Sequence, residues 1–231
     1  MRIIPVLIIG WLLLPFQLQA QDLLYTLQFN GGMPVRDLQN KVGTLFFPEL
    51  NLAGYYQAPF KPIEVGINLG YSIYGTQVER RNDLFASSNQ DLRIRRNNNL
   101  LTFMGVFRYT FELDARVIPF IEVQMGANYF YTRYKIRETR FAEPFEQGRD
   151  FSDWVLGYRG GGGIKIPFKN PQKGYSEIRL LYHESGPVSF LRRQDTSFDP
   201  NTRTFDYHPT RSPFQLLQLG FGVVMPIYSE D

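Results

Sequence analysis

From Ile63 to Tyr74 the residues Ile63, Val65, Ile67, Leu69, Tyr71 and Ile73 alternate without a break with Glu64, Gly66, Asn68, Gly70, Ser72 and Tyr74. Successive side chains of an extended strand point to opposite faces, so this period of two predicts one apolar face and one polar or small face. The run is longer than the usual strand of about six residues in a soluble protein. It suits a tilted strand crossing a hydrocarbon layer, which needs about 9–11 residues. The same alternation predicts strands near Leu24 to Val35, Leu45 to Gln57, Ile63 to Gln77, Leu100 to Glu112, Val117 to Lys135, Trp154 to Phe168, Tyr175 to Glu184 and Phe214 to Tyr228. Eight is the smallest even number of strands in single-chain membrane barrels. Helices do not fit these segments, because Gly, β-branched and aromatic residues recur and an apolar stripe at i, i+3, i+4 is missing.

The connections alternate in length. "APFKP", "LDAR" and "KNPQKG" are short, whereas Arg36 to Gly43, Val78 to Asn99, Ile136 to Asp153 and Ser185 to Ser212 are long. Short turns belong on the periplasmic side of such barrels and long loops outside. The expected fold is therefore all-β: an eight-stranded antiparallel up-and-down transmembrane barrel, with both termini periplasmic. Interfacial aromatics fit this frame. Tyr25, Tyr56, Tyr109, Phe111, Phe168 and Tyr175 fall near the short-turn ends, and Tyr71, Tyr129, Tyr131, Trp154, Tyr158, Tyr182 and Phe214 near the long-loop ends.

The opening "MRIIPVLIIGWLLLPFQLQAQ" has a basic start, an apolar run and a small residue at Ala20, which predicts a cleaved secretory signal over residues 1–20 and a barrel domain over 21–231. The chain contains no cysteine, so it folds without disulfides. Its formal charge of +3, or +2 without Arg2, is too small and scattered to point to nucleic acid. With two histidines and no cysteine, neither a metal nor a cofactor site is expected.

The stretch "GYRGGGGIKIPF" looks at first like a phosphate-binding loop, but Lys165 is followed by Ile166 and Pro167, where a P-loop needs Ser or Thr and a helix. As the sixth strand it turns Trp154, Leu156 and Tyr158 to lipid and Gly157, Arg159, Gly161, Gly163 and Lys165 inward. Its glycines then make room for long side chains from neighbouring strands. The inward set along the whole chain is polar: Glu49, Asn51, Glu64, Asn68, Arg108, Glu122, Gln124, Asn128, Arg159, Lys165, Glu177 and Arg179, joined by Gln28, Asn30 and Gln218. A barrel of this size has room for little but side chains, so these charges are expected to pair and close the lumen. The same residues would otherwise line an ion path.

These segments, above all "PIEVGINLGYSIYG" and "RVIPFIEVQMGANYFYTRY", resemble the eight-stranded outer-membrane barrel domains, the OmpA- and OmpX-like proteins, over Asp22 to Asp231. The resemblance implies outer-membrane lipid and lipopolysaccharide as surroundings, and it covers adhesins, structural proteins, small pores and a few enzymes. The chain departs from that pattern in ending "MPIYSED" rather than in an aromatic residue. "YHESG" looks like the His-x-Ser pair of outer-membrane lipid A deacylases, which would make His183 and Ser185 catalytic. Gly186 stands where that family carries asparagine, and no acid has diagnostic spacing.

The loops hold two arginine- and aromatic-rich stretches, with Arg80, Arg81, Arg93, Arg95 and Arg96 in one and Phe190, Arg192, Arg193, Phe205 and Tyr207 in the other. Such residues grip anionic lipopolysaccharide or a partner protein, or form a solvated surface offset by Glu79, Asp83, Asp91, Asp195, Asp199 and Asp206. The expected role is that of a monomeric envelope-structural or surface-binding protein, not an enzyme. A small diffusion pore is the alternative, and a lipid A deacylase the third reading.

Overall fold

The computed structural model describes residues 23–59, 61–84, 91–113, 116–192, 195–199, 202 and 204–227. The expected signal segment, Arg193 and Tyr228 lie outside the described residues. The barrel strands are β1 (Leu23–Pro34), β2 (Phe47–Gln57), β3 (Ile63–Arg81), β4 (Leu92–Thr110), β5 (Ile118–Arg137), β6 (Glu146–Pro167), β7 (Tyr175–Phe190) and β10 (Thr210–Pro226). They close antiparallel in the order β1-β10-β7-β6-β5-β4-β3-β2. A helix α1 (Arg36–Val42) follows β1, and β8 (Thr196–Asp199) pairs with β9 (Thr204–Tyr207) as a separate hairpin.

Period-two alternation decides what each strand shows. Leu27, Phe29, Leu50, Leu52, Ile67, Leu69, Phe103, Phe107, Ile121, Val123, Met125, Leu156, Leu219 and Phe221 all point out and are exposed, forming a continuous apolar band. A band of this extent is incompatible with water and is the outer surface of a barrel in lipid. Tyr129, Tyr131 and Trp154 cluster at its upper edge, with the ring centroids of Tyr131 and Trp154 5.3 Å and 4.5 Å from that of Tyr129.

Several expectations need correction. The stretches Val78 to Asn99 and Ile136 to Asp153 are strand at both ends rather than loop throughout: β3 pairs with β4 out to Arg81 and Leu92, and β5 with β6 out to Ile136 and Glu146. These strands rise beyond the apolar band as a crown. Arg36 to Gly43 is mostly helix, and the last long connection starts as β7 and continues as the β8–β9 hairpin. Phe214 does not face lipid, and Tyr175 packs inward against the lower lumen. Phe214 keeps the inward phase of Leu216 and Gln218, and the extra residue at the register shift beside it, Gly186, belongs to β7.

Candidate functional site

The lumen has three levels. At the short-turn end Leu24, Ala53, Tyr55, Val106 and Val224 form a small apolar cluster. Above it lies the polar network, in which every one of the inward residues named from the sequence is buried. Its hub is Arg108. The guanidinium donates from Nε to Glu122 at 2.7 Å and from Nη1 to Glu177 at 3.0 Å and Glu64 at 3.3 Å. It lies against two rings, with its Cζ 4.2 Å from the centroid of Phe120 and 4.6 Å from that of Tyr55. Arg179 donates to the other oxygen of Glu122 at 3.1 Å and to Asn30 at 3.2 Å. Lys165 bonds Glu64, and also Thr110 at 2.8 Å. Arg159 bonds Glu49 at 2.7 Å, while Thr102 and Gln218 donate to the same carboxylate at 2.8 and 2.9 Å. Four acids thus meet four bases, Arg108, Arg159, Lys165 and Arg179, and every one is in an ion pair. Buried charges survive in low dielectric when paired and hydrogen-bonded in this way.

Glycines shape this interior. A Cβ at Gly70 would collide with Glu49 Oε1 and Thr102 Oγ1, so only glycine leaves a slot for that carboxylate. Gly163, in the glycine run of β6, takes the same part toward the ring of Phe120.

Of the third level the sequence pattern singles out only Tyr74, on the inward face of β3. Phe47, Tyr74, Leu100, Phe130, Val188, Phe190, Phe214 and Leu216 fill the upper lumen, and α1 adds Leu38 from above. Phe47 stacks on Tyr74 at 5.2 Å and meets Phe214 edge-on at 5.3 Å, and Phe130 meets Phe214 at 4.9 Å. Tyr74 turns into this plug at a β-bulge, where the β3–β4 register shifts between Ile73 and Gly75. The polar interior is therefore capped by an apolar layer.

His183 and Ser185 both point into the lumen, yet they are not hydrogen-bonded to each other. Ser185 Oγ donates to the carbonyl of Gly186 at 3.1 Å, and neither ring nitrogen of His183 has a protein hydrogen-bond partner. His183 instead packs its ring 5.1 Å from Phe214. A nucleophile needs a base in reach and an acid to orient that base, so this pair lacks the arrangement of a hydrolase. Among the described residues no cluster of three His, Cys, Asp or Glu could hold a metal ion.

The loop candidates divide into two groups. Phe190 sits in the plug rather than on the surface, because β7 runs on to it. Arg96 is buried in the crown, paired with Asp150 at 3.0 Å and stacked 3.9 Å above Phe205. Arg81 pairs with Glu79 and Asp83 and lies over Phe198. With Leu84, Leu92, Ile94 and Ile136 these rings form a second small core. Tyr207 reaches Asp150; burial and that carboxylate push its hydroxyl up, and burial also raises the Asp150 carboxyl despite Arg96. Arg192 clamps Asp195 and donates to the carbonyl of Lys41 at 2.7 Å. In these cases the crown turns a side chain inward where a loop would have left it exposed. Arg80, Arg93 and Arg95 remain outside, Arg80 opposite Arg93 on the paired strands.

No family model matches the sequence, and no curated protein does. Among solved structures the chain is similar to Neisserial surface protein A, at 10% identity and a TM-score of 0.43, covering 89% of this chain and 97% of that one. It is also similar to a major outer membrane protein from Thermus thermophilus, at 11% identity and 0.44, covering 87% and 99%. A third likeness is to the outer membrane protein OprG from Pseudomonas aeruginosa, at 11% identity and 0.41, covering 92% and 100%.

Proposed function

We propose that this chain is an integral outer-membrane barrel of a Gram-negative cell, exported behind a cleaved signal of residues 1–20, with periplasmic termini and a lumen that carries no traffic. Its work is done outside, by the crown, as an envelope-structural or surface-binding protein. The observation that carries this reading is the double seal: a charge-matched network centred on Arg108 beneath an aromatic plug centred on Phe214. An ion entering would have to displace both a desolvated ion-pair cluster and a packed apolar layer, each costing several kcal/mol. The short turns at the opposite end, with the crown at this one, support the orientation.

A small pore is the second reading, and one observation favours it. Asn51, Asn68 and Asn128, like His183, are buried with side-chain polar atoms that no protein group satisfies, the chemistry of a hydrated chamber. Planar-bilayer conductance of the refolded mature chain separates the two. The sealed reading expects silence from the native barrel. Stable steps that change with Arg108→Ala would hand the function to the pore.

A further inference from the structure

The outward face of β4, β5 and β6 carries three chemistries in vertical order. At the top, Arg93 and Arg95 stand directly opposite Arg137 and Lys135, and Arg133 stands between Asn97 on one side and Arg149 on the other. Like charges placed directly across a ladder are destabilising. Arg133, with Arg137 and Arg95, also holds the exposed Lys135 ammonium below its ordinary value. Among the described residues Arg95 donates to Asn97, Arg133 to Gln147 and Arg137 to the carbonyl of Arg140, each a neutral acceptor. A cleft of about 110 Å³ opens among these cations.

Immediately below, the Arg149 guanidinium lies 5.4 Å from the ring centroids of both Tyr129 and Tyr131, at the edge of the apolar band. Lower still, the wall is hollow. A groove of about 550 Å³ runs past Gly105 and Gly160, flanked by Val65, Phe107, Met125 and Tyr158. A Cβ at Gly160 would meet nothing within 4 Å, and one at Gly105 would meet only the Met125 carbonyl at 3.6 Å. Met125 lies opposite Gly105 on one side and Tyr158 on the other. From Tyr131 to Met125 the chain travels about 20 Å along the strand, or about 15 Å in depth at a tilt of about 40°. That is one leaflet of a hydrocarbon core about 30 Å thick.

We infer that this face is a binding site for a phosphorylated, multiply acylated glycolipid of the outer leaflet, with its phosphates among Arg93, Arg95, Arg133, Lys135 and Arg137 and an acyl chain in the groove at Gly105 and Gly160. The inference rests on the outer-membrane placement proposed above. A single phosphodiester is too small for the cation cluster, which extends about 13 Å along β5 and across strands about 4.8 Å apart. A sugar headgroup bearing two phosphates fits that spread, and arginine forks are suited to each phosphate.

The test uses the refolded mature chain in vesicles containing the phosphorylated glycolipid, its dephosphorylated form or phosphatidylglycerol, followed by gentle extraction and native mass spectrometry of retained lipid. The native protein is expected to retain the phosphorylated glycolipid at least about tenfold better than either other lipid, the scale of a few charge-assisted bonds. R95A/R133A/K135A should abolish that preference. G160L, which fills the groove on an open outward face, should lower retention while leaving insertion intact. Equal retention of all three lipids by an inserted native barrel, or a preference untouched by the triple variant, would overturn the site alone. A chain that never becomes protease-resistant in any vesicle would overturn the membrane placement together with it.

Discussion

A Cβ added to Gly163 would lie 2.7 Å from Cζ of Phe120, the ring that the Arg108 guanidinium stacks against. It would also collide with the Ile178 carbonyl, which as backbone cannot swing away. Gly163→Val should therefore destabilise the barrel by about 1–3 kcal/mol, the usual cost of overpacking. Gly160→Val, three residues earlier and facing open space, should be close to neutral. Urea unfolding in lipid vesicles, followed by tryptophan fluorescence, compares the two. Equal midpoints would remove the close-approach explanation.

Removing the hub should be far worse than removing a crown charge. Arg108→Ala leaves Glu122, Glu177 and Glu64 without their shared cation, and stripping one partner from a buried pair costs about 3–5 kcal/mol. Arg80→Ala, on the exposed face of β3, should shift stability by no more than about 0.5 kcal/mol. The same unfolding assay reads both, and comparable losses would mean that the network is not the organising element of the lumen.

The plug makes a separate prediction. Phe214 touches Phe47, Phe130 and His183, so Phe214→Ala should cost about 3–5 kcal/mol through the cavity it leaves. The barrel should nevertheless stay silent in a planar bilayer, because the network below still blocks the path. Conductance on loss of Phe214 alone would show that the plug is the sole seal.

Acid should loosen the clamp beneath the β8–β9 hairpin. Burial pushes the Asp195 carboxyl up, but the side-chain and backbone hydrogen bonds from Arg192 and the hydroxyl of Thr210 outweigh it and hold the group below its ordinary range. A carboxylate with a lowered folded pKa contributes stability that is present above its unfolded value and is lost as pH falls through the folded one. The Arg192 amide, which donates to Asp195 at 3.0 Å, should thus lose protection on acidification once intrinsic exchange rates are corrected for. Asp195→Asn should remove the dependence; an unchanged pH profile in that variant would assign it elsewhere.

Orientation can be read by single cysteines in this cysteine-free chain. Phe141 is 90% exposed in the crown, and Lys173 is exposed in the short β6–β7 turn. An impermeant maleimide should label F141C, and not K173C, on intact cells. The reverse pattern would invert the barrel.

The barrel's middle was legible because its signal is strong. From Glu49 through Gln218, inward polar residues alternate with outward apolar ones, and a slip of one residue would reverse both faces. The crown was not legible because its strands alternate polar with polar: in Arg93, Ile94, Arg95, Arg96 only Ile94 marks a buried face. The plug was hidden for another reason. Phe47, Phe130 and Phe214 hold the same phase as the inward Glu49, Asn128 and Gln218, but they are the same residue type as the lipid-facing aromatics, so residue type at the long-loop ends does not set them apart. The pairing of acids with bases depended on register across strands far apart in sequence, such as Arg159 with Glu49, which no local pattern records.

The seam between β1 and β10 gives the lumen network a place in time as well as in space. Gln28 reaches Glu177 across 149 positions of sequence, and Gln218 reaches Glu49 across 169. No contiguous half of the chain contains both members of these contacts, so a ring still open at this seam leaves Glu49 and Glu177 each short of a hydrogen bond although their cations sit on β4 and β6. Contacts of such long range are made late, after most of the loop-closure entropy has been spent. Ring closure is thus the moment at which the interior dries and its acids, already facing their cations, receive their last donors from the two terminal strands.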